Sequence, residues 1–393
     1  MTFQKILLAF LCIASFACAA PLTFAESEVV PDQVTMMRGR VLDIKKEATQ
    51  VVPGTDAIST FQTIDVEILT GAETGKHITI DNDYLKLDVG EVFYLTHTVS
   101  HFDSIDIYAV NDPYRLPQIA ILVGLFVLLV CIFGGKQGIR GLASLVGSFA
   151  CIFFLLLPGI LHGYSPLLVT ITIASLIIVL GSYVTHGFTR TTTSAVIGMI
   201  ATVSITGLLA YFTVSFTRLS GFGSEEAVYL NINARGSIDI IGLLLGGIII
   251  GLLGVLYDAA IGQAVSVEEL TRIAPHVPRR TIYARAIRIG REHIGALVNT
   301  LAIAYVGAAL PLMLLFYQTA SASIGQIINT EIFATEIVRI MIGSIGLVLA
   351  VPITTLVSVF LLVKKPTDHI DRHTLEHERD ALDHAEHSHS HSH

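Results

Sequence analysis

The chain has 393 residues, of which 52% are hydrophobic and only 14% charged, with a mean hydropathy of +0.69 and a formal net charge of −8. Soluble domains carry about a quarter charged residues, so this composition excludes an ordinary water-soluble globule and points to a membrane protein. The acidic balance identifies no partner because the charges are segregated along the chain. Trp is absent, so any aromatic belt at the membrane surface must be built from Tyr and Phe.

Residues 1–25 read as a secretory signal. Lys5 supplies the positive end, "ILLAFLCIASFACAA" the apolar core, and "TFA" before Glu26 a small residue at the cut. The apolar run is short for a membrane crossing, which favours cleavage over an uncleaved first anchor. Cys12 and Cys18 lie in this stretch, and Cys131 and Cys151 in later apolar segments. None falls in the part expected on the oxidising side, so no disulfide framework is implied.

Residues 34–112 have a different texture. In "FQTIDVEIL" Ile64, Val66 and Ile68 face one way, and Thr63, Asp65 and Glu67 the other. "TMMRGRVLDI", "GKHITIDN", "EVFYLTHTV" and "SIDIYAV" alternate similarly, punctuated by Pro53-Gly54, Gly71, Gly75 and Asp81-Asn82. Five such strands predict a small β-barrel or sandwich, OB-like in size. Mixed charges and the lack of an aromatic stripe argue against nucleic-acid binding there; a protein-interaction role outside the membrane is the plainer expectation.

Seven apolar segments follow, at 117–133, 139–157, 166–185, 193–214, 238–257, 294–316 and 336–362. Each approaches the ~20 residues that cross a ~30 Å hydrocarbon core. If the β domain is exported, the inside loops carry Lys136, Arg140, Arg190, Arg272, Arg279, Arg280, Arg285, Arg288, Arg291, Lys364 and Lys365, against Arg218 and Arg235 outside. That asymmetry puts the β domain outside and the C-terminus in the cytoplasm, and it requires an odd number of crossings.

The fifth segment ends unusually. Counted from Ser237 as its cap, Asp258 sits about 30 Å along the helix, at the edge of the hydrocarbon. "DAAIGQAVSVEEL" then continues with small residues that let another backbone approach. Asp258, Gly262, Ser266 and Glu269 recur at helical spacing. A carboxylate at this depth needs a partner or water. Arg288, His293 and Asn299 at the start of the next segment are the partners expected within reach. The functional reading is a proton- or cation-linked gate; the plainer one is an interfacial carboxylate anchoring a helix end.

"YDAAIGQAVSVEEL" together with "REHIGALVNTLAIAYVGAALPLMLLF" resembles the YibE/F family of bacterial multispanning membrane proteins, over residues 117–362. On that likeness Asp258, Gln263, Ser266 and Glu268 match the family's polar motif. The resemblance implies the architecture and a bacterial cytoplasmic membrane, and names no substrate.

Thr191, Thr192 and Thr193 are expected to cap the fourth segment, with Thr202, Ser204 and Thr206 as a polar lining. Glu336 and Arg339 are spaced for an i,i+3 ion pair. Pro352 is expected to bend the last segment. "GSEEAVYLNINARGS" reads as a short surface helix. No catalytic triad, phosphate loop or His-Glu-x-x-His motif is present, so no enzyme and no required cofactor is expected.

Eight of the 15 histidines lie in the tail 364–393: His369, His373, His377, His384, His387, His389, His391 and His393. His369, His373 and His377 would stack on one face of a helix, a spacing that chelates zinc, nickel or copper. A pH-responsive tail without a specific metal is the alternative.

The expected architecture is therefore a seven-transmembrane-helix bundle carrying a small N-terminal β-barrel or sandwich. The first expected function is a permease or transport-associated protein with Asp258 at an inner gate. The alternative is an envelope assembly factor whose β domain binds a partner protein.

Overall fold

A computed structural model of the chain describes residues 33–51, 58–99, 106–317 and 323–363. The expected signal at 1–25 and the His-rich tail at 364–393 lie outside the described residues. The chain divides into two compact units, residues 1–129 and 130–393.

The first unit holds a five-stranded antiparallel half-barrel. Its strands are β1 (Gln33–Val51), β2 (Ile58–Ile68), β3 (His77–Asn82), β4 (Val92–Val99) and β5 (Asp106–Pro113), in the order β3-β2-β1-β4-β5. β1 changes partner midway: Gln33 to Arg40 pair with β4, and Gly39 to Val51 with β2. Gly39 stands at this switch because nothing larger fits. A Cβ there would come 2.6 Å from Val66 and 2.7 Å from Leu95. The alternation seen in the sequence is real, with Ile64, Val66 and Ile68 wholly buried beside Val41, Phe93 and Leu95.

One inward residue of β2 is polar. Gln62 is fully buried, and all four of its hydrogen-bonding positions are filled. Its Nε2 donates to Leu87 O at 2.9 Å and to Glu47 Oε2 at 3.2 Å. Its Oε1 accepts from Leu87 N at 2.8 Å and Asn82 Nδ2 at 3.4 Å. The side chain thereby pins a segment with no strand of its own onto the sheet. In exposed ion pairs, Lys45, Lys76 and Lys86 lie 2.6, 2.8 and 2.8 Å from Asp65, Glu73 and Glu47. The lysine hydrogen bonds hold all three carboxyls below their usual range, helped by Thr79, Tyr108 and Gln62 respectively.

The described residues after β5 are mainly helical: α1 (Leu116–Cys151), a π-helical turn (Ile152–Leu156), α2 (Leu157–Leu161), α3 (Pro166–His186), α4 (Arg190–Thr217), α5 (Glu225–Asn233), α6 (Ile240–Ile273), α7 (Arg279–Ala308), α8 (Leu310–Tyr317), α9 (Ile324–Asn329) and α10 (Glu331–Leu362). Among the described residues five helices are long and apolar enough to cross a membrane, or six if α7 and α8 form one broken crossing. The expected seven separate helices are therefore not found. The first two expected segments form one helical stretch, Leu116–Leu161, interrupted by a single non-helical residue, Gly135 (φ 51°, ψ −137°). The segment expected at 294–316 begins as a helix already at Arg279 and turns by 64° after Ala308. Pro311 explains the turn, since it has no N–H for the Gly307 carbonyl and its ring crowds that turn. Pro352, by contrast, lies inside a continuous α10.

Two caps differ from expectation. Asp239, not Ser237, caps α6, accepting from Gly242 N at 2.9 Å. Thr189 caps α4, accepting from Thr192 N at 3.0 Å, so the three following threonines fall inside the helix. The expected surface helix is α5, capped by Ser224.

Helices α3, α4, α6, α7 and α10 pack into a bundle with α6 and α10 at its centre. Small residues set its close contacts. A Cβ at Gly198 would sit 2.5 Å from Thr354 Oγ1, one at Gly346 2.6 Å from Thr206 Oγ1, and one at Gly246 2.7 Å from Thr170 Oγ1. In a bilayer, where lipid tails are as apolar as leucine, such backbone approach is what drives helices together.

Candidate functional site

Helix α6 has 34 residues, about 51 Å at 1.5 Å per residue. That exceeds the hydrocarbon thickness of ~30 Å, so the helix continues past Asp258 as one rod. The polar motif is carried on its final turns, and the turns divide it between two faces.

The inward face comprises Leu256, Ala260, Gln263, Ala264 and Val267, all buried. Gln263 is its polar member. Its Nε2 donates to Ala286 O of α7 at 2.7 Å. A Cβ on Gly290 of α7 would come 2.7 Å from Gln263 Oε1 and 2.5 Å from Val351 of α10. Gln263 therefore ties α6 to α7, and at Gly290, packed between Gln263 and Val351 of α10, only glycine leaves room.

The other face carries the charges. Asp258, Gly262, Val265 and Glu268 are exposed. Ser266 donates to Gly262 O at 2.8 Å and so satisfies itself within its own helix. Glu269 pairs with Arg272. Asp258, Ile261, Val265 and Glu268 follow at intervals of three and four, which makes one stripe. Ile261, Val265 and Glu268 line a cleft of about 200 Å³ with His186, Thr189, Thr191 and Thr192 from the α3–α4 turn. Asp258 stands at the head of that stripe and Glu268 at its foot, about 15 Å apart along the axis. His186 also lies 5.9 Å, ring to ring, from Tyr257, whose hydroxyl donates to Gly181 O at 3.3 Å.

Arg288, His293 and Asn299, the partners expected for Asp258, are all exposed on α7. α7 meets α6 on the Gln263 side, and Asp258 is five residues earlier, about 140° around the helix. His293 Nδ1 instead lies 3.2 Å from Ile289 O of its own helix.

A second polar row was only half visible in the sequence. Thr202 and Thr206 are fully buried, Thr206 against Gly346 of α10, whereas Ser204 is exposed and donates to Ile200 O. The row faces α10, where Ser358, Thr354 and Thr355 are equally buried. Their small-residue spacing of four in both helices was the available signal.

The ends of the bundle differ in charge. Gln137 Nε2 donates to Thr185 O at 3.1 Å, Glu268 meets the α3–α4 turn, and Arg279 caps α10 through Val363 O at 2.7 and 2.9 Å. Lys136, Arg140, Arg190, Arg272, Arg279 and Arg280 thus gather at one end. Among the described residues there is no cluster of three or more His, Cys, Asp or Glu able to hold a metal. The tail histidines expected to bind one lie outside the described residues.

No curated protein and no solved structure matches the chain. A family model described as YibE/F-like protein matches residues 122–364, well over half the chain and including the whole polar motif. The chain belongs to the YibE/F-like family, and its apolar helices make it a membrane protein.

Proposed function

We propose that the chain is a permease or transport-associated protein of the bacterial cytoplasmic membrane, linked to protons or a divalent cation through the acidic stripe of α6. The observation that carries this reading is the pairing of Asp258 and Glu268 on one face of α6. Glu268 lines a cleft with His186 and threonines of the α3–α4 turn, and with no Lys or Arg. Such a surface favours a cation over an anion.

The same reading takes seven crossings, with the β domain outside. In support, residues from Gln137 at the basic end to Ile160, packed with Ile238 and Ile240 at the other, span the bundle once. Residues 116–134 before the Gly135 break are another apolar stretch of crossing length. The basic end then faces the cytoplasm. The strand order β3-β2-β1-β4-β5 and the mid-strand switch of β1 support an OB-like domain.

The test is flux. The full chain in liposomes should dissipate an imposed proton or divalent-cation gradient, and Asp258→Asn or Glu268→Gln should reduce that flux at least tenfold with the fold retained. Wild-type flux no greater than in empty liposomes would reject the reading.

One observation favours a partner-binding role instead. Val34 and Ile107 are both exposed on one row of the sheet, each opposite Thr98, with exposed Met36 on the same face of β1. If deleting residues 34–112 removes the cellular phenotype while Asp258→Asn leaves it intact, the assembly-factor reading replaces the permease.

A further inference from the structure

The end of the bundle away from Glu268 contains a second polar cavity. The loop after α4, the first turns of α6 and the first turns of α10 enclose about 170 Å³. An apolar cavity of ~150 Å³ accommodates benzene, so this one suits a solute of about six heavy atoms. Its polar lining comes chiefly from α10: Thr335, Glu336 and Arg339.

Two of these residues have unfilled hydrogen-bonding capacity. Thr335 is 6% exposed, and its Oγ1 has no partner among the described residues. Thr202 and Thr355 donate to the carbonyl four residues back, whereas Thr170, Thr206 and Thr354 share the unpartnered hydroxyl of Thr335; Thr335 differs in lining this cavity. Arg339 Nε is likewise buried and unpartnered. Its Nη1 is held by Glu336 Oε1 at 3.1 Å, which leaves another edge of the guanidinium unused. A buried polar group left this way calls for an explanation, and here two such groups line one cavity.

The charges define the visitor. Arg339 and Glu336 cancel. Nearby Glu331 is taken up by Ser220 N and Oγ, at 2.9 and 2.6 Å, and α7 contributes the Tyr305 ring, 6.0 Å from the guanidinium. A simple anion or cation would leave net charge in a half-buried site, at a cost. A ligand bearing both charges would leave none.

We propose that this cavity binds a small zwitterionic amino acid. Its carboxylate accepts from Arg339 Nε and Thr335 Oγ1, and its ammonium donates to Glu336. Binding here does not depend on transport through the acidic stripe.

Equilibrium binding of radiolabelled glycine and alanine to the full chain in lipid nanodiscs tests the assignment. Saturable binding at up to millimolar concentration is expected for at least one of them. Acetate and methylammonium, added separately, should compete at least tenfold less well than the unlabelled amino acid. Thr335→Val and Glu336→Gln should each weaken binding at least tenfold. Gly247 supplies an independent variant, because it lines the cavity and a Cβ there meets nothing within 4 Å. Gly247→Leu should fill the space and abolish binding while the unfolding temperature holds. The proposal is overturned if neither amino acid binds saturably, if acetate competes as well as glycine, or if a folded Gly247→Leu or Thr335→Val protein binds like wild type.

Discussion

The hydroxyls of Ser194, one turn into α4, and Ser358, one turn from the end of α10, lie 2.9 Å apart, both fully buried. They fix the register of two antiparallel helices. One turn along α4, Gly198 lies against Thr354, one turn back along α10; two turns further, Thr206 lies against Gly346. Each close approach pairs a residue without a side chain with one bearing a short branched one, so the backbones come together without a void.

This register makes Gly198 intolerant of size. A Cβ there would be 2.8 Å from Thr354 Cα, a backbone atom that cannot turn aside. Gly198→Val should destabilise by about 1–3 kcal/mol or more, as overpacked cores do. Gly147→Val, where a Cβ meets nothing within 4 Å, is the control. Thermal unfolding in detergent would show it: equal unfolding temperatures for the two variants would mean that this helix contact is wrong.

Gln263 and Gly290 should behave as a coupled pair. Gly290→Ala forces a methyl onto both Gln263 Oε1 and Val351 Cγ1, at a cost of about 1–3 kcal/mol. In a Gln263→Ala background one of those clashes is gone, so the same substitution should cost less by about 0.5 kcal/mol or more. A double-mutant cycle on unfolding free energies measures the difference. Strict additivity would show that the two side chains do not share space.

The β unit should weaken in acid for a stated reason. Asp65, Glu73 and Glu47 have carboxyls held low by Lys45, Lys76 and Lys86. A carboxyl that is more acidic when folded contributes stability above its unfolded value, near 4, and loses it as pH falls through the folded value. Hydrogen exchange of β2 amides should therefore speed up, beyond its intrinsic pH dependence, between about pH 5 and about pH 3. Replacing the three lysines by methionine should flatten that change, and high salt should do so in part, since the pairs are exposed. An unchanged pH response in the triple variant would exclude these pairs as its origin.

Much of the architecture was legible in the sequence because it depends on local periodicity. Alternation at Ile64, Val66 and Ile68 gives a strand with one buried face whatever the partner strand. Gln62 occupied the same inward row, but a polar side chain breaks the pattern unless its acceptors, Leu87 O and Glu47, are known. Counting membrane crossings turns on breaks that a single residue decides. Gly135 and Pro311 interrupt helices by backbone geometry, and hydropathy averages over such breaks.

The polar motif divides along the same line. Spacing and hydropathy, properties of consecutive residues, led the sequence to place Asp258, Gln263, Ser266 and Glu268 on a helix continuing into, or broken at, the interface; the structure makes it one helix. Only the tertiary structure decided that Gln263 turns inward to bond α7, while Glu268 lines a cleft with the α3–α4 turn. The helical period sets the angle between side chains, but which angle meets a neighbour is decided by residues such as Gly290 and Gly198, whose absent side chains let distant helices close in.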